Sequence, residues 1–286
     1  MEDPGGLLDS LESAADDRDE GIGRVRCVSM ESIAGIAGSG GLTAREVSIF
    51  ALEHDIVPLR YLRNIGTLGS KGQARLLRSR VLLVGVGGIG GTAAELLARM
   101  GFGTITIADP DVFDETNLNR QNFCCTDALG VSKVDIACDR ILEINPDVEV
   151  IRRRLMATAE SLPGLTSGVD VVIDALDSID DRLVLQKACA DAGLVMVHGA
   201  IAGTSLQATT IYPGETGLAG FASSCPGEEK ARGVEVETGN PATTPVLCAA
   251  IQVQEAVKVI LGHGDTLRGR MLYLDFDEWA VDFIDL

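Results

Sequence analysis

The stretch VLLVGVGGIGG, residues 81–91, sets an apolar run directly against a cluster of glycines. Val81 to Gly85 is short and continuously apolar, which suits a strand buried on both faces of a parallel sheet. Gly85, Gly87, Gly88 and Gly90 then fall where strand turns into helix. Glycine there permits a tight turn, close approach of backbone to phosphate, and close packing of helix on strand. The helix predicted from Gly90 to Met100 offers unpaired N–H groups and the positive end of its dipole to an anion. Asp109 ends the next apolar run, TITIAD (residues 104–109), nineteen residues past Gly90. A carboxylate at that place can accept hydrogen bonds from ribose hydroxyls. The pattern predicts a nucleotide site.

Outward from this stretch the chain alternates between strands and helices. Apolar runs near Val148–Ile151, at Val169–Leu176 and at Leu194–Gly199 read as further strands, with helices over 131–144 and 180–192 between them. This order predicts an α/β fold, a Rossmann-like doubly wound and mostly parallel sheet. After Gly199 the β-branched run Ser205–Pro213 predicts antiparallel strands towards the C-terminus. A long loop over 214–244, a helix over 245–261 and a last strand, Met271–Asp275, complete the nucleotide-binding domain, read as residues 70–286. Residues 1–69 read as an acidic N-terminal extension. Residues 1–40, with eight acids against Arg18 in the first twenty and a glycine-rich stretch from Gly35 to Gly41, predict a poorly ordered tail. Residues 43–69 predict a helical arm: Thr43 and Glu46 form a capping-box pattern, and the helix they open ends before Pro58.

Composition narrows the function. Lys and Arg number 24 and Asp and Glu 42, a net charge of −18, which argues against nucleic acid as a partner. Hydrophobic residues make up 46%, yet the chain has no long uninterrupted apolar segment, so a membrane span is not expected. The acidic start is unlike a signal peptide, and seven cysteines do not form a disulfide framework, so a cytoplasmic protein is expected.

The residues after Asp109 point away from a dinucleotide. The segment DPDVFDETNLNRQNF gathers Asn117, Arg120 and Gln121, and Lys133 follows thirteen residues beyond Arg120. Arg and Lys beside phosphates that already rest on a helix terminus suit a triphosphate. Asp177, in DALDS, lies at the carboxyl edge of the sheet and can hold magnesium on those phosphates.

In these motifs the chain resembles the ThiF/MoeB/HesA family, the prokaryotic relatives of ubiquitin-activating enzymes, from about Arg60 to Asp275. The family's glycine loop falls on Gly85 to Gly90, its ribose-binding aspartate on Asp109, and its Asn-x-x-Arg-Gln cluster on Asn117, Arg120 and Gln121. Its lysine falls on Lys133 and its magnesium-associated aspartate on Asp177. Its Arg-Tyr-x-Arg-Gln segment reads Arg60-Tyr61-Leu62-Arg63-Asn64 here, with Asn64 in place of Gln. The resemblance implies adenylation of the C-terminal glycine of a small ubiquitin-like sulfur carrier of the ThiS/MoaD kind. The carboxylate attacks the α-phosphate of ATP, an acyl-adenylate forms and pyrophosphate leaves. It also implies that Arg120, Lys133 and Arg63 meet phosphate charge, that Asn117 and Gln121 orient phosphates, and that Asp177 binds Mg2+. A homodimer is implied too, with Arg63 reaching into the partner's site.

The chain departs from the family in its cysteines. It has no CxxC pair, so zinc is not expected. Cys225, in FASSCPGEE, is the candidate thiol of the loop, with nothing in SSCPG to lower its pKa. Within VEVETG (residues 234–239), an ungapped count back from the helix over 245–261 puts Glu235 where sulfur-transferring relatives have cysteine. Cys124 and Cys125 read as packing, Cys138, Cys189 and Cys248 as helix core, and His198 as a hydrogen-bonded core residue. Other readings stay open: a small-molecule carboxylate or a modified RNA base as acceptor on the same fold, or a non-catalytic scaffold. An NAD(P)-dependent oxidoreductase rests on the glycine loop and Asp109 alone and leaves Arg120, Lys133 and Asp177 unexplained. The pathway, thiamin, molybdopterin or another, is not legible.

Overall fold

The computed structural model describes residues 6–19, 23–220 and 238–286. Its N-terminal part corrects the expectation of a poorly ordered tail. Helix α1 (Leu7–Ala14), strands β1 (Asp16–Asp19) and β2 (Arg24–Val28), helices α2 (Met30–Gly40) and α3 (Ala44–Glu53) and strand β3 (Ile56–Pro58) follow one another. β1 pairs antiparallel with β2, and β2 pairs parallel with β3. Leu7, Leu11, Ile33, Ala37, Val47, Phe50 and Ile56 close a core of their own. Of the acids that suggested disorder, Asp16, Asp17 and Asp19 sit on the exposed β1 edge, where Asp17 pairs with Arg24 at 2.8 Å, and Asp9 and Glu12 lie on α1. The apolar spacing of Leu7 with Leu11 and of Ile33 with Ala37, one helical turn each, carries the folding information instead. Nor is 43–69 purely helical, because β3 completes the small sheet. Thr43 and Glu46 do form the expected capping box on α3.

Helix α4 (Leu62–Arg78) is kinked at Gly69 (φ 66°, ψ 167°), so residues 70–78 form a helical segment of their own. It binds the small sheet to the rest through a shared core of Cys27, Ile49, Leu52, Tyr61, Leu62 and Leu77. Strand β4 (Arg80–Val84), α5 (Gly88–Met100), β5 (Thr104–Ala108), α6 (Lys133–Ile144), β6 (Glu149–Arg153), the short α7 (Leu162–Leu165), β7 (Val171–Asp174), α8 (Ile179–Ala192) and β8 (Val195–Ala202) then wind the parallel sheet. Strand β9 (Ser205–Ile211), α9 (Thr243–Leu261), β10 (Arg270–Asp275) and β11 (Ala280–Asp285) complete it. The order is β11-β10-β9-β8-β7-β4-β5-β6, parallel from β8 to β6 and antiparallel from β8 to β11. β11 lies beyond the strand expected last, and its exposed faces left no core pattern to read.

Alternate residues of β4 serve two cores, Val81 and Leu83 on the side of α5 and α9, Leu82 and Val84 on the side of α8. α9 is long and apolar enough by composition to cross a bilayer, and it lies against α5 and β8 with Cys248, Ala249 and Ala256 buried. The chain reverses direction across the sheet between β4 and β7. The crevice beyond their carboxyl ends is where open α/β sheets bind ligands.

Candidate functional site

The glycine loop occupies that crevice. Gly85 leaves β4 at φ +92°, and a Cβ there would stand 2.5 Å from the Ala175 carbonyl oxygen at the end of β7. A Cβ on Gly90 would stand 2.0 Å from the Gly85 oxygen, and one on Gly88 3.2 Å from Pro245 Cβ. Side chains are excluded by backbone at the first two positions, so the turn closes tightly over the start of α5. Gly87 caps that helix with no side-chain partner, which leaves its first N–H groups for a ligand.

Asp109 is buried beside this turn. Its Oδ2 accepts from Val86 N at 2.7 Å and its Oδ1 from Asp111 N at 2.8 Å. Each carboxylate oxygen keeps a second lone pair, so the group can brace the loop and still accept ribose hydroxyls. Asp111 continues the line outward, accepting from Lys133 Nζ at 2.9 Å through its side chain and from Lys133 N at 3.0 Å through its carbonyl. Lys133 is thereby held at the N-terminus of α6, its side chain only 9% exposed.

The polar cluster sits on a 3₁₀ turn over Glu115–Asn117. Asn117 Oδ1 accepts from Asp114 N at 3.0 Å, a local cap that fixes the turn. Arg120 donates through Nη1 to Thr116 O and Asn119 Oδ1, both at 2.8 Å. Gln121 is buried, and its Nε2 lies 3.8 Å from where a Gly87 Cβ would be, so its amide covers the glycine loop. Its Oε1 is buried with no partner among the described residues. Orphaned buried acceptors are rare and mark a place for a ligand or water.

On the other wall, the turn after β7 carries Asp177, which is exposed. Three contacts fix that turn. Leu176 N donates to Asp174 Oδ1 at 3.0 Å, Arg182 Nε donates to the Leu176 carbonyl at 3.1 Å, and Gln252 Nε2 donates to Asp174 O at 2.7 Å. His198 Nδ1 meets Asp174 Oδ2 at 2.7 Å, with both side chains fully buried. Burial pushes this imidazole below its ordinary value, and the Asp174 hydrogen bond acts in the opposite direction.

The structure therefore places Gly85, Gly87, Gly88, Gly90, Asp109, Gln121 and the turn that carries Asp177 around one crevice, with Lys133 joined to it through Asp111, and with Asn117 and Arg120 on the segment that leads to Gln121. It does not bring Arg63 there within one chain. Arg60 donates to Asn145 Oδ1, and Tyr61 OH accepts from Asn145 Nδ2 at 2.9 Å, at the C-terminal end of α6. The glycine loop and Lys133 lie at the opposite ends of α5 and α6, about 18 Å along a helix of this length. Cys225 lies outside the described residues. Cys138, Cys189 and Cys248 are buried as expected, and burial pushes each thiol up to about 12. Cys125 is exposed, not packed, because the segment turns outward after Cys124. Among the described residues no group of three or more His, Cys, Asp or Glu is placed to hold a metal ion. Sequence reading missed Asp111 and Arg182. Asp111 stands two residues from Asp109, and Arg182 five beyond Asp177 on the first turns of α8, close enough in sequence to be weighed with them.

Fold and crevice together define a Rossmann-like nucleotide-binding protein with cations beside its glycine turn. The ThiF family profile matches residues 61–285, and the chain belongs to the ThiF family. It is 35% identical over 227 residues to the SAMP-activating enzyme E1 of Haloferax volcanii, covering 76% of this chain and 80% of that protein. It is 34% identical over 233 residues to the probable adenylyltransferase/sulfurtransferase MoeZ of Mycobacterium tuberculosis, covering 79% of this chain and 59% of that one. Among solved structures, that of PaaA superposes with a TM-score of 0.67 at 24% identity, covering 79% of this chain and 72% of the other, a likeness of fold. The family sets aside the nicotinamide reading.

Proposed function

We propose that this chain is an ATP-dependent adenylyltransferase that activates the C-terminal glycine carboxylate of a ubiquitin-like sulfur carrier. One observation carries the reading: the Gln121 amide lies over the glycine turn with its Oε1 unpartnered among the described residues, next in sequence to Arg120, while Lys133 is tied through Asp111 to the Asp109 that braces the turn. Cations in that position match triphosphate charge. The relatives named as SAMP-activating and as adenylyltransferase support the same chemistry.

In this reading a carboxylate oxygen forms a bond to the α-phosphorus, the bond to the bridging oxygen breaks, and pyrophosphate carries away the electron pair. The products are acyl-adenylate and pyrophosphate. Such a reaction needs positioning and charge stabilisation from the protein. The α5 amides and Gln121 position the phosphates, Asp109 holds the ribose, and Arg120 and Lys133 balance the growing negative charge. Only Nη1 of Arg120 is engaged among the described residues, so its other donors can fork onto phosphate. Magnesium, held by Asp177 and the phosphates, would neutralise charge on the leaving group; one carboxylate plus substrate oxygens is an ordinary donor set for that ion. Arg63, remote from its own crevice, acts in the site of a second copy, which makes a homodimer the working form. The described cysteines are free thiols, in keeping with a reducing, cytoplasmic setting.

The test is a thermal shift with Mg-ATP, NAD and NADP. Ligand at roughly 100 times its Kd adds about 2.7 kcal/mol, and each kcal/mol moves the midpoint by about 2–4 °C in a domain of this size. A shift of several degrees with Mg-ATP alone, lost in Lys133→Ala, supports the reading. A shift with a dinucleotide alone overturns it.

A further inference from the structure

Asn240 lies just ahead of α9, in a turn whose carbonyls are engaged. Gly203 N donates to Gly239 O at 2.8 Å, Thr244 Oγ1 donates to Gly203 O at 2.8 Å, and Asn119 Nδ2 donates to Asn240 O at 3.2 Å. Pro241 follows and brings no N–H. The Asn240 side-chain Oδ1 is nevertheless buried, with no partner among the described residues. Asn119 does not reach it: its Nδ2 donates to the Asn240 main-chain carbonyl, and its Oδ1 accepts from Arg120 Nη1 at 2.8 Å. A buried acceptor therefore sits one side chain away from the arginine assigned to the phosphates.

An unpaired buried carbonyl is costly, and the cost is recovered when a ligand supplies a donor. The two reactants differ in what they can supply. The phosphates of ATP offer acceptors only, and so does a carboxylate; the donors ATP carries are its ribose hydroxyls, assigned to Asp109, and its adenine amino group, which lies beyond the ribose and away from the phosphates. The one donor that comes close to the reacting carboxylate is the peptide N–H of the residue that bears it, separated from the carboxyl carbon by a single Cα. In a terminal glycine no side chain competes for the place.

Resting on the carboxylate-adenylation reading above, we infer that Asn240, held beside Arg120 by Asn119, accepts the last peptide N–H of the incoming tail. This makes Asn240 a specificity residue that selects a peptide C-terminus over a simple organic acid. A small acid with no N–H beside its carboxylate leaves Oδ1 unpaired and reacts more slowly. Sites that hydrogen-bond a substrate N–H discriminate strongly against analogues that lack it, because the protein's own group is left buried and unpaired.

The experiment measures pyrophosphate–ATP exchange with two probes, a short synthetic peptide ending in Gly-Gly and its depsipeptide, in which terminal glycolate replaces glycine and an ester oxygen the last N–H. Wild-type protein should prefer the amide by about tenfold in kcat/KM, the size expected of one buried hydrogen bond. Asn240→Leu should slow the amide peptide about tenfold, mainly through KM, so that the preference collapses towards unity. A retained Mg-ATP thermal shift identifies the variant as folded, and Asn240→Ala provides a second one. An equal preference for the amide in wild type and both variants overturns the inference alone. Absence of exchange in wild type with the peptide and with intact carriers, while Mg-ATP still binds, overturns the carboxylate reading and the inference with it.

Discussion

Asp109→Asn separates bracing of the glycine loop from binding of the nucleotide. The carboxylate accepts from Val86 N at 2.7 Å and from Asp111 N at 2.8 Å. Asparagine keeps one acceptor oxygen. Val86 is buried and Asp111 exposed, so the amide should turn its oxygen to Val86 and leave Asp111 N to water. One exposed hydrogen bond lost costs about 1 kcal/mol, which lowers the melting temperature by about 2–4 °C. The ribose hydroxyls lose more, because hydrogen bonds to an ionised group contribute about 1.5–3 kcal/mol, or roughly tenfold to hundredfold in affinity. Urea unfolding reads the first quantity and calorimetric titration with Mg-ATP the second. Titration with 2′,3′-dideoxy-ATP isolates the hydroxyls: wild type should bind it weakly, and the variant should bind both nucleotides alike. If Asp109→Asn loses stability but keeps its affinity for ATP, the residue only braces the loop and the ribose assignment is wrong.

Three further outcomes follow from the same geometry. Gly90→Ala forces a Cβ to 2.0 Å from the Gly85 oxygen, whereas Gly91→Ala makes ordinary contacts, 3.7 Å to the Phe123 ring and 3.9 Å to Asn122 N. The first should cost about 3 kcal/mol or prevent soluble expression and the second under about 1 kcal/mol, as read by urea midpoints; equal costs would contradict the tight turn. Burial holds the His198 imidazole neutral below its ordinary pKa of 6.5, so the unfolded chain takes up this proton first as pH falls. Stability present above about pH 6.5 should therefore be lost on acidification, with a slope approaching 1.4 kcal/mol per pH unit, and His198→Gln should lack that slope between pH 6.5 and 5.5. Finally, Arg63→Ala and Asp177→Ala, each inactive alone, should partly recover activity when subunits are mixed, and no recovery would remove the trans role of Arg63.

Much of the central sheet was legible because β4, β5 and β7 are buried on both faces and read as unbroken apolar runs. The glycine turn was legible for the opposite reason, since residues that would collide with backbone at Gly85 and Gly90 leave glycine no substitute. The N-terminal segment misled because summed charge says nothing of where charges sit. Asp16, Asp17 and Asp19 line an edge strand, while a few aliphatic residues spaced one helical turn apart close the core. β11 gave no signal because its residues are exposed. Within the site, Asp109, Arg120 and Lys133 stood out by type and spacing. Asn240 did not, because it meets Asn119 across 121 positions and only the fold joins them. Arg63 could be picked from its motif, but only the contacts of Arg60 and Tyr61 with Asn145 reveal that it lies far from its own crevice.

The measurement closest to the central claim is isotope exchange between pyrophosphate and ATP with a ubiquitin-like carrier ending in Gly-Gly. Exchange should require Mg-ATP and a C-terminal Gly-Gly, vanish when the terminal glycine is removed, and be lost in Lys133→Ala. Exchange that ignores the terminal glycine, or its absence with every such carrier while Mg-ATP still binds, would contradict the account.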